Sequence, residues 1–258
     1  MCSSISRFGE FRADRGTPLN GFSVRSQSGS LGSYEHCDGP CWRPGAMREA
    51  ALGLTRGDAT LLAQALDEAS NDPGRQVCLC EHVIEAHAAL WAEDLCTECH
   101  ISLGLALALS TFRRHQADVD APAHGKPLLI APVPGESHFI GASLAYTMLT
   151  QAGRAVSYEF PRSNGELAAL LDAQPFSGLV LISSGVFPRQ HRTGQILETV
   201  ETARRHGPAP FRILLYGKLA GCEKAAARQV GADGACASAL QLDGLLLDSA
   251  TPKRRQLH

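Results

Sequence analysis

The sequence predicts an α/β protein, with a doubly wound, five-stranded parallel sheet preceded by a small helical cap. Three observations lead there. From residue 126 onward, short apolar runs alternate with amphipathic stretches, the rhythm of strands and crossover helices. Before them, residues 58–115 carry helical periodicity. Residues 1–50 are rich in Gly, Ser, Arg and Pro without an apolar period, which marks a flexible arm. The expected division is an arm over 1–50, a cap over 55–116 and a sheet domain over 126–250.

In the cap, Asp58 is placed to start a helix over 59–69, whose apolar face is Leu61, Leu62, Ala65 and Leu66. Asn71-Asp72-Pro73-Gly74 reads as a break. A second helix is expected over 81–94 and a third over 97–115, with Leu103, Leu107 and Leu109 to bury. Such a bundle needs another surface to close against. In the sheet domain, strands are expected at 127–133, 155–160, 179–183, 212–216 and 234–236. Helices are expected at 140–151, 165–173, 194–205, 222–230 and 239–247. Right-handed crossovers join such strands into a doubly wound parallel sheet, and if it is flavodoxin-like its order is 2-1-3-4-5.

Composition excludes several classes. A chain of 258 residues and 27.5 kDa, with net charge -2 and 19% charged residues, offers no broad basic field for nucleic acid. Little direct DNA binding is expected, and no helix-turn-helix is read in the arm. The first residues lack the apolar core of a secretory signal, and the most apolar helix-like run, 101–112, is too short to span a bilayer, so the expectation is a cytoplasmic protein with no membrane contact. Nine cysteines are then thiols, metal ligands or redox groups rather than a disulfide framework. Cys96-Thr97-Glu98-Cys99-His100 has the spacing of covalent haem attachment. Cys78, Cys80, Cys96 and Cys99 are candidates for a zinc or redox site, with buried free thiols as the plain alternative; Cys37 and Cys41 flank a turn.

The stretch that concentrates the chemistry is Gly135-Glu136-Ser137-His138-Phe139-Ile140-Gly141, between the first strand and its helix. In an open parallel sheet, that turn lies at the carboxyl edge where ligands bind. The neutral imidazole of His138 can coordinate a transition metal, while the Glu136 carboxylate can hold the other ring nitrogen and fix the tautomer. In the 2-1-3-4-5 order, the loops after strands three and four join it, bringing Ser183, Ser184, Gly185, Gly217 and Lys218. Small residues there let a bulky ligand approach the backbone.

This constellation resembles the cobalamin-binding domain, whose pattern is Asp-x-His-x-x-Gly, then Ser-x-Leu, then Gly-Gly. The resemblance covers residues 126–248 and includes the late Gly231-Ala232-Asp233-Gly234-Ala235 turn. It implies that His138 is the lower axial ligand of cobalt, with Glu136 orienting it. Ser183 and Ser184 would line the pocket for the cofactor's nucleotide tail, with Gly217 beside it, and Ser137 and Gly141 would also be cofactor-binding. Two departures stand out: Glu136 replaces the Asp, and Lys218 stands where a second Gly is usual. Light-sensing relatives carry Trp-x9-Glu-His in their cap; here Trp91 is followed by Glu98 and His100, so that spacing is not met. Trp91 is a candidate to cover the upper face of the cofactor, with a core tryptophan as the alternative.

The irregular arm, reduced cap and absence of a DNA-reading motif are similar to AerR/PpaA-type antirepressors. That likeness implies a non-enzymatic, cobalamin-dependent light response delivered by binding a CrtJ/PpsR-type repressor of photosynthesis genes. The cofactor would be hydroxocobalamin or adenosylcobalamin. A corrinoid carrier for methyl transfer, or a haem or redox sensor on the same domain, are the alternatives.

Overall fold

Five apolar runs pair into one all-parallel sheet in the order β2-β1-β3-β4-β5. The strands are β1 (His124–Pro132), β2 (Arg154–Tyr158), β3 (Gly178–Ile182), β4 (Arg212–Tyr216) and β5 (Gly234–Cys236). The computed structural model describes residues 44–116, 124–136, 139–183, 189–217 and 223–247. The fold is the expected flavodoxin-like one. Its sheet is buried on both faces, which is why its strands read as continuous apolar runs rather than alternating ones. Leu128, Ile130, Val180, Ile182, Leu214 and Tyr216 face one core. Their neighbours Leu129, Ala131, Leu179, Leu181, Ile213 and Leu215 face the other. Each fully buried Leu, Ile or Val on these faces contributes about 1.5–3 kcal/mol.

The second face is covered by α6 (Asn164–Ala173) and α7 (Arg189–His206), through Leu167, Leu171, Ile196, Val200 and Ala203. Ser163 starts α6 by accepting from the Glu166 amide at 3.2 Å, and the Glu166 carboxylate returns to the Arg162 amide at 2.8 Å. The first face is covered by α5 (Ile140–Gln151), stopped by Gly153 at φ 75°. After α8 (Glu223–Gln229), the Gly231 to Ala235 segment forms the turn into β5, where Asp233 accepts from the Ile213 amide at 2.8 Å and pairs with Arg204 at 2.8 Å. A 3-10 turn (Ala239–Gln241) and α9 (Leu242–Leu247) end the described chain.

The cap holds four helices, not three: α1 (Pro44–Thr55), α2 (Thr60–Glu68), α3 (Pro73–Ala92) and α4 (Glu98–Arg114). Residues 44–50, expected in the arm, are helical and bury Met47 and Ala50 with Ala51 and Leu54 behind them. An alanine-rich face carries little hydrophobic contrast, so its period does not stand out in the sequence. Residues 1–43, the remainder of the expected arm, lie outside the described residues, as do Cys37 and Cys41.

Asn71-Asp72-Pro73-Gly74 does not merely end a helix; it begins the longest one. Asp72 accepts from the Arg75 amide at 2.9 Å and Pro73 takes the first helical position, where its missing N–H costs nothing. Asp72→Ala should therefore lower stability by about 1 kcal/mol in urea unfolding; an unchanged midpoint would show that the cap bond is idle. In α4 the buried stripe is Ile101, Leu105, Ala108 and Phe112, at helical spacing. Leu103, expected inside, is 50% exposed, while Leu107 and Leu109 are partly buried. Among the described residues no helix is long and apolar enough to cross a membrane.

Candidate functional site

The parallel register sets Pro132, Ile182, Tyr216 and Cys236 side by side at the carboxyl edge. The next residues extend the ladder by one step: Val133 N–H donates to Ile182 O at 2.9 Å, Ser183 N–H to Tyr216 O at 2.9 Å, and Gly217 N–H to Cys236 O at 3.1 Å. The three loops singled out in the sequence therefore leave from one edge, as the strand order requires.

After β1 the chain turns at Gly135, with φ 88°, and the Glu136 amide donates to Val133 O at 2.9 Å. It is next described at Phe139, the residue that opens α5. Ser137, His138 and Ser184, assigned from the sequence, lie outside the described residues. Around Phe139 the surface is aromatic. Its ring meets Phe160 edge-on at 4.7 Å, Tyr158 lies 4.6 Å from Phe160, and the Tyr158 hydroxyl donates to the Phe139 carbonyl at 3.3 Å. Phe139 and Phe160 are exposed.

Ser183 is the most informative residue of the edge. Its side chain is 1% exposed, and its hydroxyl has no hydrogen-bond partner among the described residues. Leaving a buried hydroxyl unpaired costs about 1–3 kcal/mol. Gly217 sits beside it at φ 131°, a conformation that favours glycine, and a Cβ there would run into the Ser183 carbonyl. The side chain missing at 217 thus makes room for protein backbone, not for a ligand as its sequence position suggested. Gly141 is tight for a similar reason, since a Cβ would lie 3.2 Å from Ile182 Cγ2 and 3.6 Å from Tyr216 Cε1.

Four residues that sequence reading missed tie the cap to this edge. Glu81 of α3 is 7% exposed. Its Oε1 accepts from the Tyr216 hydroxyl at 2.8 Å and the Ala239 amide at 2.7 Å, and its Oε2 accepts from the Ser238 hydroxyl at 2.7 Å. Burial pushes the Glu81 carboxyl up, against the pull of those three donors. Burial, and then the facing Glu81, raise the Tyr216 phenol well above its ordinary value. One signal was legible: Glu81 shares a helix face with Val77 and the buried Cys80, where a charge is out of place.

No protein-family model matches the chain, and no curated protein is similar to it in sequence. Among solved structures, the Methanosarcina barkeri monomethylamine corrinoid protein superposes with a TM-score of 0.57 at 16% identity, over 78% of this chain and 95% of that one. The two chains share a fold. A novel cobalamin-binding protein from Desulfitobacterium hafniense DCB-2 aligns with a TM-score of 0.40 at 15% identity, over 79% of this chain and 97% of that one. A chain of the methanol:cobalamin methyltransferase complex MtaBC from Methanosarcina barkeri aligns with a TM-score of 0.41 at 14% identity, over 80% of this chain and 78% of that one. At 16% identity the likeness to the monomethylamine corrinoid protein speaks for architecture alone.

The remaining candidates lie in the cap. Trp91, 37% exposed, stands ten residues past Glu81, about 15 Å along the α3 axis. Cys96-Thr97-Glu98-Cys99-His100 is the start of α4: Thr97 Oγ1 accepts from the His100 amide, and His100 Nδ1 accepts from the Thr97 amide, both at 3.3 Å. Among the described residues no group of three or more His, Cys, Asp or Glu is placed to hold a metal ion, so Cys78, Cys80, Cys96 and Cys99 form no such cluster. Cys80 is buried, which drives its thiol strongly towards the protonated form. His87 is buried between α3 and α4, bonded through Nδ1 to the Val83 carbonyl at 3.0 Å, with Nε2 set against Gly104.

Proposed function

We propose that this chain binds a corrinoid, cobalamin, at the carboxyl edge of its sheet, and that it acts as a light-responsive transcriptional antirepressor rather than as an enzyme. The observation that carries the cofactor assignment is the Ser183 hydroxyl, without a partner among the described residues and buried where the ends of β3 and β4 lie side by side. A nucleotide-like tail with acceptor oxygens would satisfy it. The fold likeness to a corrinoid protein of Methanosarcina barkeri supports the same ligand class. In this reading His138 would coordinate the cobalt, Glu136 would hold the other ring nitrogen, and Ser137, Ser183 and Ser184 would bond the tail. Gly141 and Gly217 keep the segments that frame the pocket close together. When bound, the corrinoid supplies a cobalt whose upper ligand light can change.

The output would pass to a CrtJ/PpsR-type repressor. The aromatic surface of Phe139, Tyr146 and Phe160, exposed on the described face, suits contact with a protein better than contact with DNA. Absorption spectra of the purified chain mixed with hydroxocobalamin, adenosylcobalamin or haemin, in darkness and after illumination, test the cofactor. We expect a corrinoid spectrum shifted on binding and changed by light; binding of haemin alone would overturn the assignment. A gel-shift titration then tests the output, with illuminated, loaded protein expected to lower the repressor's affinity for its operator.

The likeness to the monomethylamine corrinoid protein also favours a second reading, a corrinoid carrier for methyl transfer. Methylation of the loaded chain by a corrinoid methyltransferase, with no effect on the repressor, would select it.

A further inference from the structure

Ser183, Gly217 and Gly141 of the candidate pocket meet at Tyr216. Its carbonyl accepts from the Ser183 amide at 2.9 Å, Gly217 follows it in the chain, and its ring packs where Gly141 opens the helix, 3.6 Å from the place of a Cβ there. Its hydroxyl leaves the sheet domain and ends on Glu81 of the cap at 2.8 Å. The same carboxylate grips the start of the 3-10 turn after β5 through the Ser238 hydroxyl and the Ala239 amide. A buried carboxylate with three donors from outside its own helix is held in one geometry, because moving α3 away would strip all three bonds from it at once.

We propose that Tyr216 is a positioning residue of the pocket and that Glu81 is the cap's tie to it, so that docking of α3 and retention of the corrinoid are thermodynamically coupled. The coupling rests on the corrinoid reading above. Its direction follows from the contacts: with the tie made, Tyr216 holds Ser183 and Gly217 in register. A ligand that binds this arrangement must in turn favour the docked α3. Linkage makes the two effects equal, so whatever factor the tie adds to cofactor affinity, the cofactor adds to cap docking.

The test uses the full chain with hydroxocobalamin as probe and reads two quantities: affinity by absorption titration, and amide hydrogen exchange across residues 73–92 with and without cofactor. Tyr216→Phe removes one hydroxyl and nothing else. It should weaken binding by about 10-fold, the scale of a hydrogen bond to a charged acceptor, and shrink the cofactor-induced protection of 73–92 by the same factor. Ser238→Ala, which removes a different donor to Glu81, should move both readouts in the same direction. Glu81→Gln should restore both to within about threefold of the parent, since its amide oxygen still accepts from Tyr216 and Ala239 while its amide nitrogen donates to Ser238. Loosening of 73–92 in Tyr216→Phe at unchanged affinity would overturn the coupling and leave a plain structural contact, and so would weaker binding without any change in exchange. Failure of the parent chain to bind hydroxocobalamin would overturn the corrinoid reading and the coupling with it, an outcome distinct from the other two.

Discussion

His138→Ala is expected to abolish retention of cobalamin through gel filtration. The expected loss of affinity exceeds about 100-fold, because even the outer-shell partner of a metal-bound histidine is typically worth about 10- to 100-fold. Glu136→Gln supplies the internal scale. It changes that partner while leaving the ligand in place, so it should weaken binding by about 10-fold and shift the bound spectrum less. Absorption titrations with hydroxocobalamin read both variants. An alanine variant with the parent's spectrum and affinity would remove His138 as the axial ligand, and with it the family resemblance that assigned the role.

Gly217→Ala is expected to have the largest effect on stability. Two penalties add at this residue. A φ of 131° is strained for any residue with a Cβ, by about 1–3 kcal/mol. The new Cβ would also meet the Ser183 carbonyl, a backbone atom that cannot rotate away, and overpacking of this kind costs about 1–3 kcal/mol more. The sum, about 2–6 kcal/mol, is a large part of a domain's usual margin of about 5–15 kcal/mol. Gly135→Ala is the matching control, since Gly135 has φ 88° but nothing within 4 Å of its Cβ position. It should lose only the strain. Equal urea midpoints for the two variants would show that the approach of Gly217 to Ser183 is not what fixes this glycine.

Both variants bear on the same edge, but one was chosen from the sequence and the other from the structure. The turn that carries Gly135 and Glu136 was legible as part of the carboxyl edge because strand-to-helix turns in parallel sheets lie there whatever the side-chain details. Gly217 was legible as a loop glycine, yet its physical role was not. Only the register of β3 against β4 shows that the Ser183 carbonyl occupies the place of its side chain.

The sequence by itself determined a doubly wound parallel sheet buried on both faces, since apolar runs of five residues separated by amphipathic helices have few other ways to bury both faces. It also determined the edge from which the three loops leave. Boundaries in the cap were less legible. Alanine hid α1, and Asp72-Pro73 served as a helix start where turn chemistry alone suggested a stop. The burial of α4 also depended on neighbours, which chose the Ile101, Leu105 and Phe112 stripe over Leu103. What only the tertiary structure decided is the tie between Glu81 and Tyr216, 135 residues apart in the chain. Local pattern marks Glu81 only as a charge out of place and does not name its partner, because a carboxylate is stable in the interior only when donors from elsewhere in the fold arrive to meet it.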